Sequence, residues 1–177
     1  MRVIGGEFRS RKLKAVPGLE TRPTPDRLRE ALFNVLAPQI EGVVFLDAYA
    51  GTGAVGIEAL SRGASRCIFV EKSRAAVDVI RQNLAALGLE SRAEVFTSKI
   101  QPVLERVSAD IVFLDPPYES AKEYEAAFAV LRNSPHRLVV VQHASRNVLA
   151  EQAGSLRKYR VLKQGDNSLS FYTRDFA

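Results

Sequence analysis

Short apolar runs alternate with amphipathic segments through most of this 177-residue chain. Five runs have the continuous apolar character of strands buried on both faces, and they span residues 43–47, 66–71, 93–97, 110–115 and 137–143. The segments between them repeat apolar positions every three or four residues, which is typical of helices. Strands that alternate with helices predict an α/β fold, a mostly parallel and doubly wound sheet with helices on both faces.

Start and stop signals place the helices more closely. Thr24 is a good N-cap residue and Pro25 suits a first helical position, so we expect a helix to start there. Ser73 precedes a second amphipathic stretch, and Gly88 is a natural stop at its end. Ser120, with a glutamate three residues later, has the spacing of a capping box and predicts a third helix start.

The two ends of the chain depart from this alternation. Residues 1–16 mix apolar and basic positions around a Gly-Gly turn signal, which predicts a small basic hairpin or arm, and a linker-like stretch follows it. Residues 156–163 and 169–174 flank a Gly-Asp-Asn turn and predict an antiparallel hairpin that completes a seven-stranded sheet. We therefore expect two parts, the hairpin with its linker at residues 1–23 and one α/β domain at residues 24–177.

Composition limits the classes of protein that fit. No apolar run approaches the ~20 residues that cross a bilayer, and the N-terminus has no apolar signal-peptide core, so we expect a cytoplasmic protein without membrane contact. One cysteine excludes an internal disulfide, and with only two histidines we expect no metal site. Cys67 should be a small buried hydrophobe, and His136 and His143 should have structural roles. Nothing in the sequence suggests an obligate dimer, and we expect a monomer.

Charge is divided unevenly along the chain. Residues 1–29 hold 8 Lys/Arg and 3 Asp/Glu, residues 30–131 hold 9 and 14, and residues 132–177 hold 8 and 3. The net charges are therefore +5, −5 and +5, so basicity is confined to the two ends. A polyanionic partner that contacts both ends, such as a nucleic acid, would explain this division, and solvated surface charge would explain it equally well.

A glycine-rich turn follows the first predicted strand. Gly51, Gly53 and Gly56 match the G-x-G-x-x-G fingerprint of nucleotide cofactor sites, in the required context between a strand and a helix. Glu71 ends the second strand, where a carboxylate can accept hydrogen bonds from ribose hydroxyls. Asp47 precedes the glycines, where a carboxylate can bind the amino group of a methionine moiety. A pyrophosphate gains nothing from an anion there, so Asp47 favours S-adenosylmethionine over a dinucleotide.

A stiff corner, Asp115-Pro116-Pro117-Tyr118, ends the fourth predicted strand. Two successive prolines continue neither a strand nor a helix, and each forces the residue before it into an extended conformation. The corner therefore holds one carboxylate, one free carbonyl and one aromatic ring in fixed relation. That arrangement suits a flat ring with an amino group, because the oxygens accept from the amine and Tyr118 stacks on the ring. Because the carboxyl ends of parallel strands share one edge of the sheet, this corner should face the glycine-rich turn.

These motifs resemble those of a known enzyme class. Residues 47–56 resemble motif I of the class I S-adenosylmethionine-dependent methyltransferases, and residues 115–118 resemble motif IV of their amino-methylating branch. Residues 1–6 and 21–36, together with residues 165–172 in the last hairpin, are similar to the RsmD-type family. The resemblance implies a Rossmann-like class I methyltransferase fold. It also implies methylation of the exocyclic N2 of one guanine in bacterial small-subunit (16S) ribosomal RNA, within a 30S subunit or an assembly intermediate.

The resemblance also implies roles for individual residues. Catalysis is expected from Asp115, Pro116 and Tyr118. The expected contacts to S-adenosylmethionine, which leaves as S-adenosylhomocysteine, are Asp47, Ala48, Tyr49, Gly51, Gly53, Gly56, Glu71, Lys72, Ser98, Lys99, Ile100 and Asp115. The expected RNA contacts are Pro117, Tyr118, Arg2, Arg9, Arg11, Lys12, Lys14, Arg22, Thr24 and Arg27. Two positions depart from the family pattern: Lys99 stands where an Asp or Asn is usual, and Gln142 stands where a glutamate is expected.

Three alternatives are weighed against this interpretation. An amino methyltransferase acting on adenine N6 or cytosine N4 of DNA or RNA would use the same corner, although the chain has no obvious DNA-reading domain. A nicotinamide-dependent oxidoreductase would share the glycine fingerprint, but its second half should carry a catalytic dyad that we do not find. A non-enzymatic RNA-binding protein would not need Asp47, Glu71 and Asp115 together.

Overall fold

The computed structural model describes residues 1–18, 24–133 and 135–174. Its strands are β1 (Val44–Ala48), β2 (Arg66–Glu71), β3 (Ala93–Thr97), β4 (Ile111–Leu114), β5 (Leu138–Ala144), β6 (Gln152–Ala153), β7 (Leu156–Gln164) and β8 (Asn167–Thr173). Its helices are α1 (Asp26–Leu36), α2 (Ala54–Ser61), α3 (Arg74–Leu87), α4 (Ile100–Leu104) and α5 (Ala121–Leu131), with 3-10 turns at Ala37–Gln39 and Glu90–Arg92.

All the described strands form one sheet in the order β3-β2-β1-β4-β5-β8-β7-β6. The first five strands pair in parallel, while β8, β7 and β6 are antiparallel to their neighbours. The predicted α/β class and the C-terminal antiparallel hairpin are therefore confirmed. The predicted number of seven strands is wrong, because Gln152–Ala153 adds an eighth at the edge of the sheet. Two residues are too few to produce an apolar pattern that the sequence could reveal.

Each face of the sheet carries its own apolar core. One core joins α1, α2 and α3 to inward-facing residues of the sheet, including Phe45, Phe69 and Phe171. The other joins α4 and α5 to the opposite face of the same strands. Strands β4 and β5 are buried along their whole length, which explains their continuous apolar sequence. Cys67 lies fully buried in the first core, as its sequence context predicts.

The helix signals are confirmed in part. Ser73 caps α3 by accepting a hydrogen bond from the Ala76 N–H at 3.3 Å, and Gly88 ends that helix in the left-handed conformation. The prediction that Thr24 caps α1 is wrong: the cap position falls on Pro25, and the Thr24 hydroxyl bonds to a distant strand instead. Helix α5 begins directly after Ser120, but the Ser120 side chain makes no capping bond.

The N-terminal hairpin is built into the same core. Its two arms pair antiparallel at Arg2 and Lys12, so the predicted hairpin is present. Val3 and Leu13 are buried against α1 and α2 as members of the first core. Glu58 of α2 is fully buried and accepts hydrogen bonds from the backbone N–H groups of Ile4 and Gly5, both at 2.9 Å. The hairpin is thus anchored by apolar burial and by a buried carboxylate.

Across the described ranges, the helices are all too short or too polar to cross a membrane. Within the same ranges, His, Cys, Asp and Glu side chains do not converge in threes as a metal site would require.

Candidate active site

A cavity of about 550 Å³ opens at the carboxyl edge of the parallel strands, where β1 and β4 end side by side. Its walls come from the glycine-rich turn, the proline corner, the residues just before α1 and strands β5 and β8. The lining residues are Thr24, Pro25, Asp47, Tyr49, Ala50, Gly51, Thr52, Ala54, Val55, Glu71, Lys72, Phe113, Asp115, Pro116, Pro117, Tyr118, Gln142 and Asn167. The two motifs that the sequence singles out therefore share one cavity.

The glycine-rich turn is held in place from below by Asp47. This carboxylate is 1% exposed, and its Oδ2 accepts the backbone N–H of Gly56 at 2.9 Å. Burial raises the pKa of Asp47 well above its ordinary value, with Asp115 and Glu71 adding to the effect. Gly53 has φ +83° at the cap of α2, a conformation that favours glycine. Asp47 therefore both orders the turn and places a carboxyl group at the floor of the cavity.

Gly56 is required for close packing. A Cβ at this position would lie 2.3 Å from the Phe69 ring and 2.7 Å from Cys67 Sγ. Only a glycine lets α2 approach β2 this closely, which fixes the start of the helix at the cavity wall. Gly53, Gly56 and Ala48 lie behind the cavity lining and support it.

Glu71 spans the opposite side of the turn. Its Oε2 accepts the Gly51 N–H at 2.8 Å, and its Oε1 accepts the Ser73 N–H at 2.9 Å. Each oxygen keeps a second lone pair, and the side chain lines the cavity beside the exposed Lys72. The carboxylate is thus fixed in one orientation, ready to accept hydrogen bonds from a bound hydroxyl group.

Tyr49 closes one wall of the cavity by an interaction that the sequence did not predict. Its backbone is left-handed, with φ +60°, and its hydroxyl donates to Glu123 Oε2 of α5 at 2.8 Å. Burial and the neighbouring Glu123 raise the pKa of Tyr49. Glu123 gave only a capping signal in the sequence, whereas in the structure it links the glycine-rich turn to the helix that follows the proline corner.

The proline corner follows β4 directly. Asp115 is partly buried at the cavity, and desolvation raises the pKa of its carboxyl from 3.8 to about 7. Pro116 is buried and Pro117 is exposed, so the chain turns out toward the cavity mouth between them. The raised pKa makes Asp115 a titratable hydrogen-bond acceptor near neutral pH.

Tyr118 is oriented through its hydroxyl group. The hydroxyl donates to Asn167 Oδ1 at 2.6 Å and accepts from Gln142 Nε2 at 3.0 Å. Gln142 Oε1 in turn accepts from the Thr24 hydroxyl at 3.1 Å. Gln142 and Asn167 were absent from the predicted site residues, although the departure at position 142 and the Gly-Asp-Asn turn were signals that could have indicated them.

Some predicted site residues lie away from the cavity. Ser98, Lys99 and Ile100 do not line it, and the Ser98 hydroxyl donates to the Lys99 carbonyl at 2.8 Å. Their expected contact with a cofactor therefore stays a prediction. His136 and His143 are buried, which agrees with structural roles. His136 Nδ1 is hydrogen bonded to the Ala109 backbone, and His143 Nε2 is hydrogen bonded to the Ser170 hydroxyl.

Most of the predicted RNA contacts are exposed basic side chains of the N-terminal hairpin and α1. The exposed basic side chains are Arg2, Arg9, Arg11, Lys12, Lys14 and Arg27. Arg11 and Lys14 reach α3, where they donate to the Ala86 carbonyl at 3.2 Å and to Gln82 Oε1 at 3.1 Å. Arg22 falls outside the described residues. The remaining predicted contacts, Thr24, Pro117 and Tyr118, line the cavity itself.

Comparison with known proteins identifies relatives over the full length of the chain. A family model described as conserved hypothetical protein 95 matches residues 1–173. YlbH of Bacillus subtilis strain 168, provisionally named as an rRNA methyltransferase, is 34% identical over 183 residues, which cover 98% of this chain and 99% of YlbH. Ribosomal RNA small subunit methyltransferase D of Escherichia coli K12 is 43% identical over 120 residues, which cover 67% of this chain and 60% of that protein.

A solved structure supports the same grouping. The protein yhhF from Escherichia coli, provisionally described as a methyltransferase, superposes with a TM-score of 0.87 at 35% identity. The superposition covers 99% of this chain and 98% of that one. The chain therefore belongs to the conserved hypothetical protein 95 family, the RsmD-type family of class I methyltransferases.

Proposed function

We propose that this protein transfers the methyl group of S-adenosylmethionine to the exocyclic N2 of a guanine in 16S ribosomal RNA. One observation carries the proposal: the glycine-rich turn and the Asp115–Tyr118 corner face each other across a single cavity. One side of that cavity suits a nucleoside cofactor and the other suits a flat base with an amino group. The names of the relatives support ribosomal RNA as the substrate.

The side chains on the glycine-rich side of the cavity fit S-adenosylmethionine. The cofactor carries an ammonium group, a sulfonium and two ribose hydroxyls, all of which favour carboxylate partners. Asp47 would hold the methionine amino group, Glu71 the ribose hydroxyls, and Tyr49 and Lys72 would border the same half of the cavity. The bound cofactor supplies an electrophilic methyl group, and the residues of this chain supply orientation.

The corner would activate the acceptor amine. The lone pair of an aromatic amine is delocalised into the ring, which makes it a poor nucleophile. Asp115 and the Pro116 carbonyl would accept the two amine protons in hydrogen bonds, draw the nitrogen toward tetrahedral geometry and direct its lone pair at the methyl group. Positioning of this kind can lower a barrier by about 3–4 kcal/mol for one well-placed hydrogen-bonding group. Tyr118 would stack on the base, worth ~1–3 kcal/mol.

Asp115 must be ionised to accept these protons most strongly. Since desolvation raises its pKa to about 7, the free enzyme should gain activity as the pH rises through that value.

A base inside a duplex cannot enter the cavity, so the target must be unstacked or already in a loop.

We further propose that the basic hairpin binds the RNA backbone. The exposed side chains of Arg9, Arg11, Lys12 and Lys14 lie on one element that is rigidly anchored to the domain.

We propose a cytoplasmic monomer that acts on a 30S subunit or an assembly intermediate. Comparing naked 16S rRNA with assembled 30S subunits as methyl acceptors tests the particle.

The central test replaces Asp115 by alanine. Methyl transfer to 16S rRNA should be lost, while calorimetry should show S-adenosylmethionine binding close to that of the wild type and no binding of NAD. Asp110→Ala is the matched control, because this exposed carboxylate precedes the same strand and bonds to Val44 N at 2.8 Å, away from the cavity. Mass mapping of rRNA from a strain lacking the gene should reveal one unmethylated guanine. Substantial transfer by Asp115→Ala, or a missing methyl group on adenine or cytosine, would refute the assignment.

A further inference from the structure

The half of the cavity opposite the glycine-rich turn contains a directed chain of four hydrogen-bonding side chains. Their order is Thr24 to Gln142 to Tyr118 to Asn167, with donor–acceptor distances of 3.1, 3.0 and 2.6 Å. All four residues line the cavity. They come from four separate parts of the fold: the segment before α1, the end of β5, the proline corner and the first residue of β8.

The direction of the chain follows from the chemistry of its members. A hydroxyl has a single proton to donate, so the Tyr118 hydroxyl, which accepts from the Gln142 amide, uses its own proton in the bond to the Asn167 side-chain oxygen. Gln142 presents its amide nitrogen to Tyr118 because its oxygen accepts from Thr24. Three hydrogen bonds that point the same way polarise one another and hold their members more firmly than isolated bonds would.

We propose that Gln142 and Asn167 are positioning residues for the target base, and that they act by holding the Tyr118 ring through its hydroxyl. A tyrosine ring at the wall of a cavity can rotate about two side-chain bonds. Hydrogen bonds to two carboxamides on neighbouring strands, β5 and β8, restrict that rotation. The stacked base is then held at the angle at which its amine meets Asp115. This inference rests on the proposed function, because it assigns a role within the same methyl transfer.

The rival explanation is that the chain only joins β5, β8 and the proline corner. Both explanations predict a loss of stability when Gln142 or Asn167 is replaced. Only positioning predicts that the loss of activity depends on the Tyr118 hydroxyl. Positioning also predicts that the loss falls on kcat, because contacts to phosphates supply most of the RNA affinity and should leave KM for RNA nearly unchanged.

A double-mutant cycle separates the two explanations. We expect Gln142→Leu, Asn167→Ala and Tyr118→Phe each to lower kcat for rRNA methylation roughly tenfold, the order of effect of one hydrogen bond. In the Tyr118→Phe background, Gln142→Leu and Asn167→Ala should each lower kcat by less than about twofold. Ser170→Ala is the matched control, because it removes a buried bond of 2.8 Å to His143 between the same two strands without touching Tyr118. It should lower stability and leave kcat within about twofold.

Losses that multiply in the double mutants, or single mutants with wild-type kcat, would overturn the proposal. A wild-type protein that transfers no methyl group to rRNA would instead refute the proposed function. In that event, the side-chain amide NMR signals of Gln142 and Asn167 still test the hydrogen bonds to Tyr118. Both should shift on Tyr118→Phe, and unchanged signals would overturn the inference whatever the activity.

Discussion

Replacing Asp115 by asparagine should stabilise the folded protein at neutral and alkaline pH. Desolvation at the cavity raises the pKa of this carboxyl from 3.8 to about 7. The unfolded chain ionises the group near pH 4, whereas the folded protein keeps its proton until about pH 7. Because the folded state binds the extra proton, its contribution to stability is fully present below about pH 4 and is lost as the pH rises to about 7.

The size of the effect follows from the two pKa values. The interval between 3.8 and about 7 corresponds to roughly 4 kcal/mol, at ~1.4 kcal/mol for each pH unit. The carboxyl is only partly buried and lines an open cavity, so solvent screening reduces this to about 2 kcal/mol. Asp115→Asn should therefore match the wild type in stability near pH 4 and exceed it by about 2 kcal/mol near pH 8.

Two assays check this reasoning. Urea unfolding of both proteins at acidic and alkaline pH gives the difference in free energy of unfolding, and the acidic measurement serves as the internal control. The pH dependence of kcat/KM should show an acidic limb near pH 7 in the wild type. That limb should vanish in Asp115→Asn, because an amide oxygen accepts a hydrogen bond without ionising. A stability difference that is the same at both pH values, or an acidic limb that persists in the variant, would refute the argument.

Two further predictions concern the hairpin. Replacing Arg9, Arg11, Lys12 and Lys14 together by Gln should weaken RNA binding and reduce the slope of log K against log salt concentration by ~0.7 for each phosphate that is no longer neutralised. The affinity for S-adenosylmethionine should not change and serves as the control. A filter-binding experiment that finds the same salt slope as the wild type would contradict the prediction. Neutralisation is preferable to deleting residues 1–14, since deletion would remove Val3 and Leu13 from the core. Glu58→Ala should lower the free energy of unfolding by roughly 3–5 kcal/mol, because Arg62 and two hairpin N–H groups lose a buried partner; guanidinium unfolding with a wild-type midpoint would disprove that anchor.

Four parallel strands, β1, β2, β4 and β5, were predictable because they are largely buried, whereas the edge strand β3 is only partly buried. The predicted bounds of β2 and β3 are correct, and those of β1, β4 and β5 differ from the structure by one residue at the ends. The caps of α3 were equally clear, since Ser73 and Gly88 act on backbone groups within one helical turn. Signals of this kind concern neighbours in the chain, so the sequence contains both partners of each interaction.

Other features depended on interactions between distant segments. Thr24 looked like a helix cap, but its hydroxyl instead bonds to Gln142, 118 residues further along the chain. Glu58 carried no distinguishing signal in the sequence, yet it is fully buried beneath the hairpin. The strand β6 is too short to leave a pattern, and it exists only because β7 offers it a partner.

The sequence by itself determined the α/β class and the two motifs that suggest the chemistry. Glycines in a turn and paired prolines act on the backbone conformation of their own segment, so their structural effect can be predicted without knowledge of the tertiary structure. The tertiary structure decided how those motifs are completed: Glu123 orients Tyr49, and Gln142 and Asn167 orient Tyr118. Hydrogen bonds between side chains on different strands leave no periodicity in a sequence, because their geometry exists only once the sheet has brought those strands together.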